Sequence, residues 1–350
     1  MDYKELCSSS YGGMNGGQLE EIIQQKILIL DGAMGTMIQR HKLAEADYRG
    51  ERFKNFPKDQ KGNNDLLCIT QPTIIKNIHL AYLEAGADIL ETNTFNANRI
   101  SMADFGMEYL VSELNISALI SAKQAVEEYK KKHGDRPIFI AGAIGPTNKT
   151  TSISPKVNDP GYREVDFDFL AEIYEEQAIA LINAGADILL AETIFDTLNA
   201  KAAFWGIEEA FEKTGKRLPL MASGTITDNS GRTLSGQTTE AFLISLSHVP
   251  LFSIGLNCAL GAEQLTPYLK ILAKQSPFHV SVYPNAGLPN AFGGYDQTPE
   301  MMAEQIEIFL SQHMVNIIGG CCGTTPEHIK AIAEKAKQYK PRPLTVKNLA

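Results

Sequence analysis

Two of the five cysteines in the 350-residue chain are adjacent: Cys321 and Cys322, within Gly319-Gly320-Cys321-Cys322-Gly323. Neighbouring cysteines bridge poorly, because a trans peptide sets their Cα atoms about 3.8 Å apart and an ordinary disulfide wants at least ~4.4 Å. The pair is therefore either two inert thiols or two ligands. A third cysteine, Cys258, follows the apolar run 251–256 and also stands at a strand end. Three thiolates converging on one rim suit a zinc ion with its fourth position open. The alternative is buried apolar thiols. The flanking glycines favour the metal. Side chains alternate along a strand, so both cysteines face one ion only if the backbone bends sharply, which glycine permits. Cys7 and Cys68 read as a tail thiol and a loop thiol. An all-sulfur shell makes zinc a weak Lewis acid for water and a good holder of a further thiol as thiolate. That chemistry points to a thiol substrate rather than to hydrolysis. Of the seven histidines none has ligand-like spacing; His79, His313 and His328 fall in helical patterns.

Two carboxylates, Asp31 and Glu192, also follow apolar runs. They could recognise a substrate ammonium, or they could be solvated loop charges or rim ion pairs. The turn Gly32-Ala33-Met34-Gly35 offers backbone N–H groups to a substrate carboxylate.

These residues need a scaffold, and the apolar pattern supplies one. Short apolar runs occupy 26–30 (KILIL), 87–91 (ADILE), 137–143 (PIFIAGA) and 186–190 (ADILL). Four more occupy 218–222 (LPLMA), 251–256 (LFSIGL), 279–283 (HVSVY) and 315–318 (VNII). Amphipathic helical stretches lie between them, as at 73–85, 169–184 and 299–312. Such alternation predicts βαβ units and a parallel sheet buried on both faces. The segment Ala85-Gly86-Ala87-Asp88-Ile89-Leu90 recurs as Ala184-Gly185-Ala186-Asp187-Ile188-Leu189, and each copy is soon followed by Glu-Thr. Eight units and this echo predict an α/β fold of one domain, a (β/α)₈ TIM barrel. A dinucleotide-binding sheet would want Gly-x-Gly-x-x-Gly after the first strand, where this chain has Asp31-Gly32-Ala33-Met34-Gly35. The expected division is a flexible leader at 1–20, the barrel at 21–338 and a linker-like tail at 339–350. Chemistry then belongs at the C-terminal ends of the strands.

Composition narrows the function classes. The net charge is −9, from 32 basic and 41 acidic residues, which argues against nucleic acid and anionic membranes as partners. No apolar run approaches the ~20 residues of a membrane span, and the polar, Gly-rich beginning is unlike a signal peptide. A cytoplasmic location is expected, where an odd, sparse cysteine count argues against a disulfide framework.

Several stretches together resemble the homocysteine S-methyltransferase family. They are residues 31–36 (DGAMGT), 91–95 (ETNTF), 255–258 (GLNC) and 319–326 (GGCCGTTP). Within that family the chain is most similar to the N-terminal homocysteine-binding module of cobalamin-dependent methionine synthases. Residues 145–150 (GPTNKT), 230–237 (SGRTLSGQ) and 283–289 (YPNAGLP) carry that closer likeness. The resemblance implies zinc on Cys258, Cys321 and Cys322, with homocysteine thiolate at the open position and Asn285 as its oxygen occupant without substrate. It implies Asp31 and Glu192 on the amino group, and the backbone at Ala33 and Met34 on the carboxylate. The thiolate would take a methyl group from methylcobalamin held by another module or chain, giving methionine; cobalamin- and folate-binding modules would be its partners. Two alternatives stay open: a free-standing enzyme using S-methylmethionine, and a homocysteine- and zinc-binding component inactive without a separate cobalamin protein. If zinc activates the thiol, binding should release about one proton per homocysteine at pH 7, and none without zinc.

Overall fold

The computed structural model describes residues 16–227, 230–291 and 293–344. All eight expected strands form: β1 Leu28–Ile29, β2 Ile89–Glu91, β3 Phe139–Ile144, β4 Ile188–Ile194, β5 Leu220–Gly224, β6 Ser253–Gly261, β7 His279–Asn285 and β8 Ile317–Ile318. Each pairs in parallel with the next in the chain, and β8 pairs with β1. A parallel bridge between Leu30 and Ile89 brings β1 to β2, so the ring meets itself. This is a single (β/α)₈ barrel.

Alternate strand residues point inward and outward. The inward set, including Leu28, Leu30, Phe139, Leu190, Met221, Phe252 and Ile317, packs as one cluster. The outward set joins the helices in a second, larger cluster. Burial on both faces explains why the strands read as continuous apolar runs. Five strands extend past their predicted ends, β3 by one residue and β5 by two. β4 continues to Ile194, β6 to Gly261 and β7 to Asn285. Polar residues interrupt the apolar run in each of these last three extensions, so apolarity alone misses them, and the added residues include Glu192, Cys258 and Asn285.

Both ends of the chain are more structured than expected, as far as they are described. Helix Gly16–Gln25 begins inside the stretch read as a leader. Its Leu19 and Ile23 are buried against the barrel's inner cluster, and Glu20 lies 3.6 Å from His279 at the start of β7. In the stretch read as a tail, Arg342 is buried and its guanidinium donates to the carbonyls of Ala273, Ser276 and Phe278. Residues 1–15 and 345–350 lie outside the described residues. Among the described residues no helix is long and apolar enough to cross a membrane.

Candidate metal and substrate site

Cys258, Cys321 and Cys322 converge at the C-terminal ends of β6 and β8, with their sulfurs all within 4.8 Å of one another. Cys258 Sγ is 3.7 Å from Cys322 Sγ, and Cys321 Sγ is 4.0 Å from Cys322 Sγ. Tetrahedral zinc with Zn–S bonds near 2.3 Å would set its sulfurs about 3.8 Å apart. The donor set therefore fits the ion in chemistry and in spacing. Cys68 is buried in the short helix Leu67–Thr70 and hydrogen-bonds Asn93 rather than this cluster; burial pushes its thiol up. Cys7 lies outside the described residues.

The backbone reaches this arrangement by an unexpected route. Gly319 and Gly320 are needed for close approach, not for a left-handed bend. A Cβ on Gly319 would lie 2.8 Å from Leu30 Cβ and one on Gly320 2.5 Å from Thr324 Cγ2. The left-handed residues are instead Cys258 and Ala259, with φ of 59° and 55°. They form the irregularity in β6 between Asn257 and Gly261. Non-glycine residues in that region cost on the order of 1–3 kcal/mol each and persist where their surroundings over-determine them. Gly323 is left-handed too, at φ 80°, and lies under the Tyr295 ring.

The three thiols act as one unit. Hydrogen bonds from Cys258 and then Cys321 pull the Cys322 thiol down to about 3, with Tyr295 helping. The same contacts, first with Cys258 and then with Cys322, push Cys321 well up. The cluster thus favours one thiolate even before a cation arrives.

Beside the sulfurs lies a group of buried carboxylates. Asp31 and Glu192 are 2% and 7% exposed. Asp31 accepts a hydrogen bond from the Glu91 amide at 3.1 Å, while its other oxygen has no partner. Burial, opposed by that amide and reinforced by Glu192, holds the Asp31 carboxyl well above its usual range. Glu192 is pushed up to about 8, by burial first and the Cys322 charge second. Glu91 is a third member that sequence reasoning left out of the site. Burial, then Glu192, then Asp31 raise its carboxyl, and one of its oxygens is buried without a partner. A signal for it was present, because both copies of the internal echo lead into Glu-Thr, directly at Glu91-Thr92 and two residues later at Glu192-Thr193. Buried carboxylates without partners are costly unless neutral or matched by a cation. The raised carboxyls meet that condition in their neutral form, and a cation placed among them would favour ionisation.

Asn285 is 2% exposed, and its Oδ1 is buried with no partner. Met34 opens helix Met34–Arg40, so its amide has no intrahelical acceptor. The Ala33 amide is already committed, donating to Thr324 Oγ1 at 3.1 Å. The histidines stay away from the site. His79 is buried with both ring nitrogens unpartnered, His328 bonds Thr325 and the Gln297 carbonyl, and His313 faces the Lys340 carbonyl.

The family model for homocysteine S-methyltransferase matches residues 28–336. The chain belongs to the homocysteine S-methyltransferase family. Solved structures agree on the fold. The metallated form of the homocysteine methyltransferase MmuM from Escherichia coli superposes with a TM-score of 0.68 at 23% identity, covering 90% of this chain and 98% of that one. Its oxidized form gives 0.70 at 23% identity, covering 90% and 97%. A homocysteine S-methyltransferase is a methyltransferase whose acceptor is homocysteine, an amino acid with one thiol, one ammonium and one carboxylate.

Proposed function

We propose that the chain is a zinc-dependent homocysteine S-methyltransferase that forms methionine, and that its methyl donor is methylcobalamin held by another module or chain. The observation that carries this reading is the trio of sulfurs at near-tetrahedral spacing beside a buried carboxylate group. Cys258, Cys321 and Cys322 would hold the zinc. When bound, zinc supplies the charge that keeps a further thiol ionised at neutral pH. Glu192 and Asp31 accept from the homocysteine ammonium, and the Met34 amide, with Ala33 beside it, faces the carboxylate. Anchored at that end, the substrate directs its sulfur toward the three cysteines. The unpartnered Asn285 Oδ1 is the oxygen available at the fourth position before homocysteine enters. The carboxylate end is the deeper one and Cys258 and Cys322 are half-buried, so the sulfur is presented toward the opening through which a donor approaches.

Residues 145–150, 230–237 and 283–289 support the cobalamin-dependent branch. A free-standing enzyme using S-methylmethionine is the second reading, and the same family model fits it equally. Incubation with homocysteine and either free methylcobalamin or S-methylmethionine, followed by methionine assay, separates the two. For the metal, about one zinc per chain is expected by elemental analysis. Cys321→Ala or Cys322→Ala should remove most of it, since two thiolates make a poor site, and Cys68→Ala should remove none. Full zinc retention in both of the first two variants would overturn the proposal.

A further inference from the structure

Asn257 stands between the two halves of the site. It lies on β6 immediately before Cys258 and is fully buried, at 0% exposure. Its side chain reaches across two neighbouring strands. Oδ1 accepts from Ser223 Oγ on β5 at 2.7 Å and from the Thr193 amide on β4 at 3.2 Å. Nδ2 donates to Thr193 Oγ1 at 2.8 Å. Its own carbonyl, one bond before Cys258, accepts from Thr225 Oγ1 at 3.0 Å.

The residues so tied are the strained ones. Thr193 has φ 55° and Cys258 φ 59°. Thr193 directly follows Glu192, and the β4–β5 register shifts between Ala191 and Ile194. A left-handed threonine is β-branched and especially disfavoured, so something must hold it there. The Asn257 amide grips both the backbone N–H and the side chain of Thr193, which specifies that residue's conformation. The same amide belongs to the residue whose carbonyl begins the Cys258 kink. A single residue therefore joins the two kinks: its side-chain amide holds the one after Glu192, and its main chain, fixed by Thr225, leads into the one at Cys258.

We propose that Asn257 is a positioning residue that sets Cys258 and Glu192 in one register, coupling metal affinity to recognition of the substrate amino group. The coupling is reciprocal by linkage: what strengthens one site through this amide strengthens the other. This inference rests on the reading that Glu192 holds the ammonium and Cys258 the zinc.

The test uses the zinc-loaded protein. Zinc affinity is read by competition with a chromophoric chelator. Amino-group recognition is read by calorimetry with L-norvaline, which carries the ammonium and carboxylate but no thiol. Circular dichroism and thermal melting report the fold. In Asn257→Ala both affinities should fall at least tenfold. Should that variant not fold, Ser223→Ala and Thr193→Val each remove part of the network, and each should weaken both affinities several-fold. A natively folded variant with lower melting temperature but either affinity within twofold of wild type would overturn the proposal. It would make Asn257 an ordinary core hydrogen-bonding residue. Glu192→Gln is the control for the underlying reading. If it binds norvaline as wild type does, the ammonium assignment fails and takes the coupling with it. If Glu192→Gln weakens binding and the Asn257 network variants do not, the coupling alone fails.

Discussion

The Glu192 carboxyl is pushed up to about 8 by burial and then by the Cys322 charge, which favours its neutral form before substrate arrives. An ammonium beside it favours the ionised form. On the proposed function, homocysteine binding would then have two sources of protons, the thiol and this carboxyl. The simple expectation of about one proton, with none in the zinc-free protein, needs amendment. Calorimetry in buffers of different ionisation enthalpy should show more than one proton per homocysteine at pH 7 in the zinc protein, and a smaller but finite release without zinc. Ammonium affinity should also rise as pH climbs toward 8. Zero release from a zinc-free protein that still binds would mean Glu192 does not meet the ammonium. Glu192→Gln should weaken homocysteine binding ten- to hundredfold, as losing a charged hydrogen bond of roughly 1.5–3 kcal/mol implies, with zinc content unchanged. Asp31, Glu192 and the three cysteines were legible because each follows an apolar run, and a run's end fixes a rim address. Asn257 was not: the hydrogen bonds that give it a role cross β5 to β4, and nothing in a linear spacing reveals them.

Strand positions were legible, but strand ends were not. Apolar runs mark where both faces are covered, and the pattern stops where the barrel opens onto its polar mouth. β4, β6 and β7 run on through that mouth, so Glu192, Cys258 and Asn285 sit on strands rather than in loops. Asn285 is held there by its ladder partner Gly261, while Glu192 and Cys258 fall in the register shifts of β4 and β6 and are anchored by the paired residues on either side. Helix contacts show the same economy of space. Helix Thr197–Thr214 presses so close on helix Phe167–Ala184 that a Cβ on Gly206 would lie 2.2 Å from the Ala171 carbonyl oxygen. Replacing a mid-helix glycine by alanine ordinarily gains about 1 kcal/mol. Here overpacking, typically 1–3 kcal/mol, should win, and Gly206→Ala is expected to lower stability in chemical denaturation. A more stable variant would show that the two helices can separate without penalty.

The barrel as a unit carries a built-in acid sensitivity. His79, buried in helix Pro72–Glu84 with neither ring nitrogen bonded, is depressed by burial from 6.5 to about 4. A lowered histidine means the unfolded chain binds the extra proton first, so stability falls as pH drops through 6.5 toward 4. Linkage puts that loss at about 2 kcal/mol between pH 8 and pH 5. His79→Leu should remove it: the variant's advantage in urea midpoint should be larger at pH 5 than at pH 8. A constant offset across that range would assign the acid loss to other groups. The closed ring was readable from eight runs and an internal echo. The docking of helix Gly16–Gln25 and of Arg342 was not, because polar, Gly-rich or Pro-bearing composition hides the one or two side chains that anchor such a segment.

That first helix gives the barrel a floor. Leu19 and Ile23 sit among the inward-facing side chains, so the end of the barrel remote from the sulfurs is stoppered. On the proposed function, the reactants then share the mouth at the sulfur end. Homocysteine, ammonium downward, would be seated before a bulkier donor covers it, and methionine would wait beneath until the spent donor withdraws. Sharing that mouth would impose a compulsory sequence. In steady-state kinetics excess donor should therefore inhibit by arriving first, and raising homocysteine should relieve that inhibition.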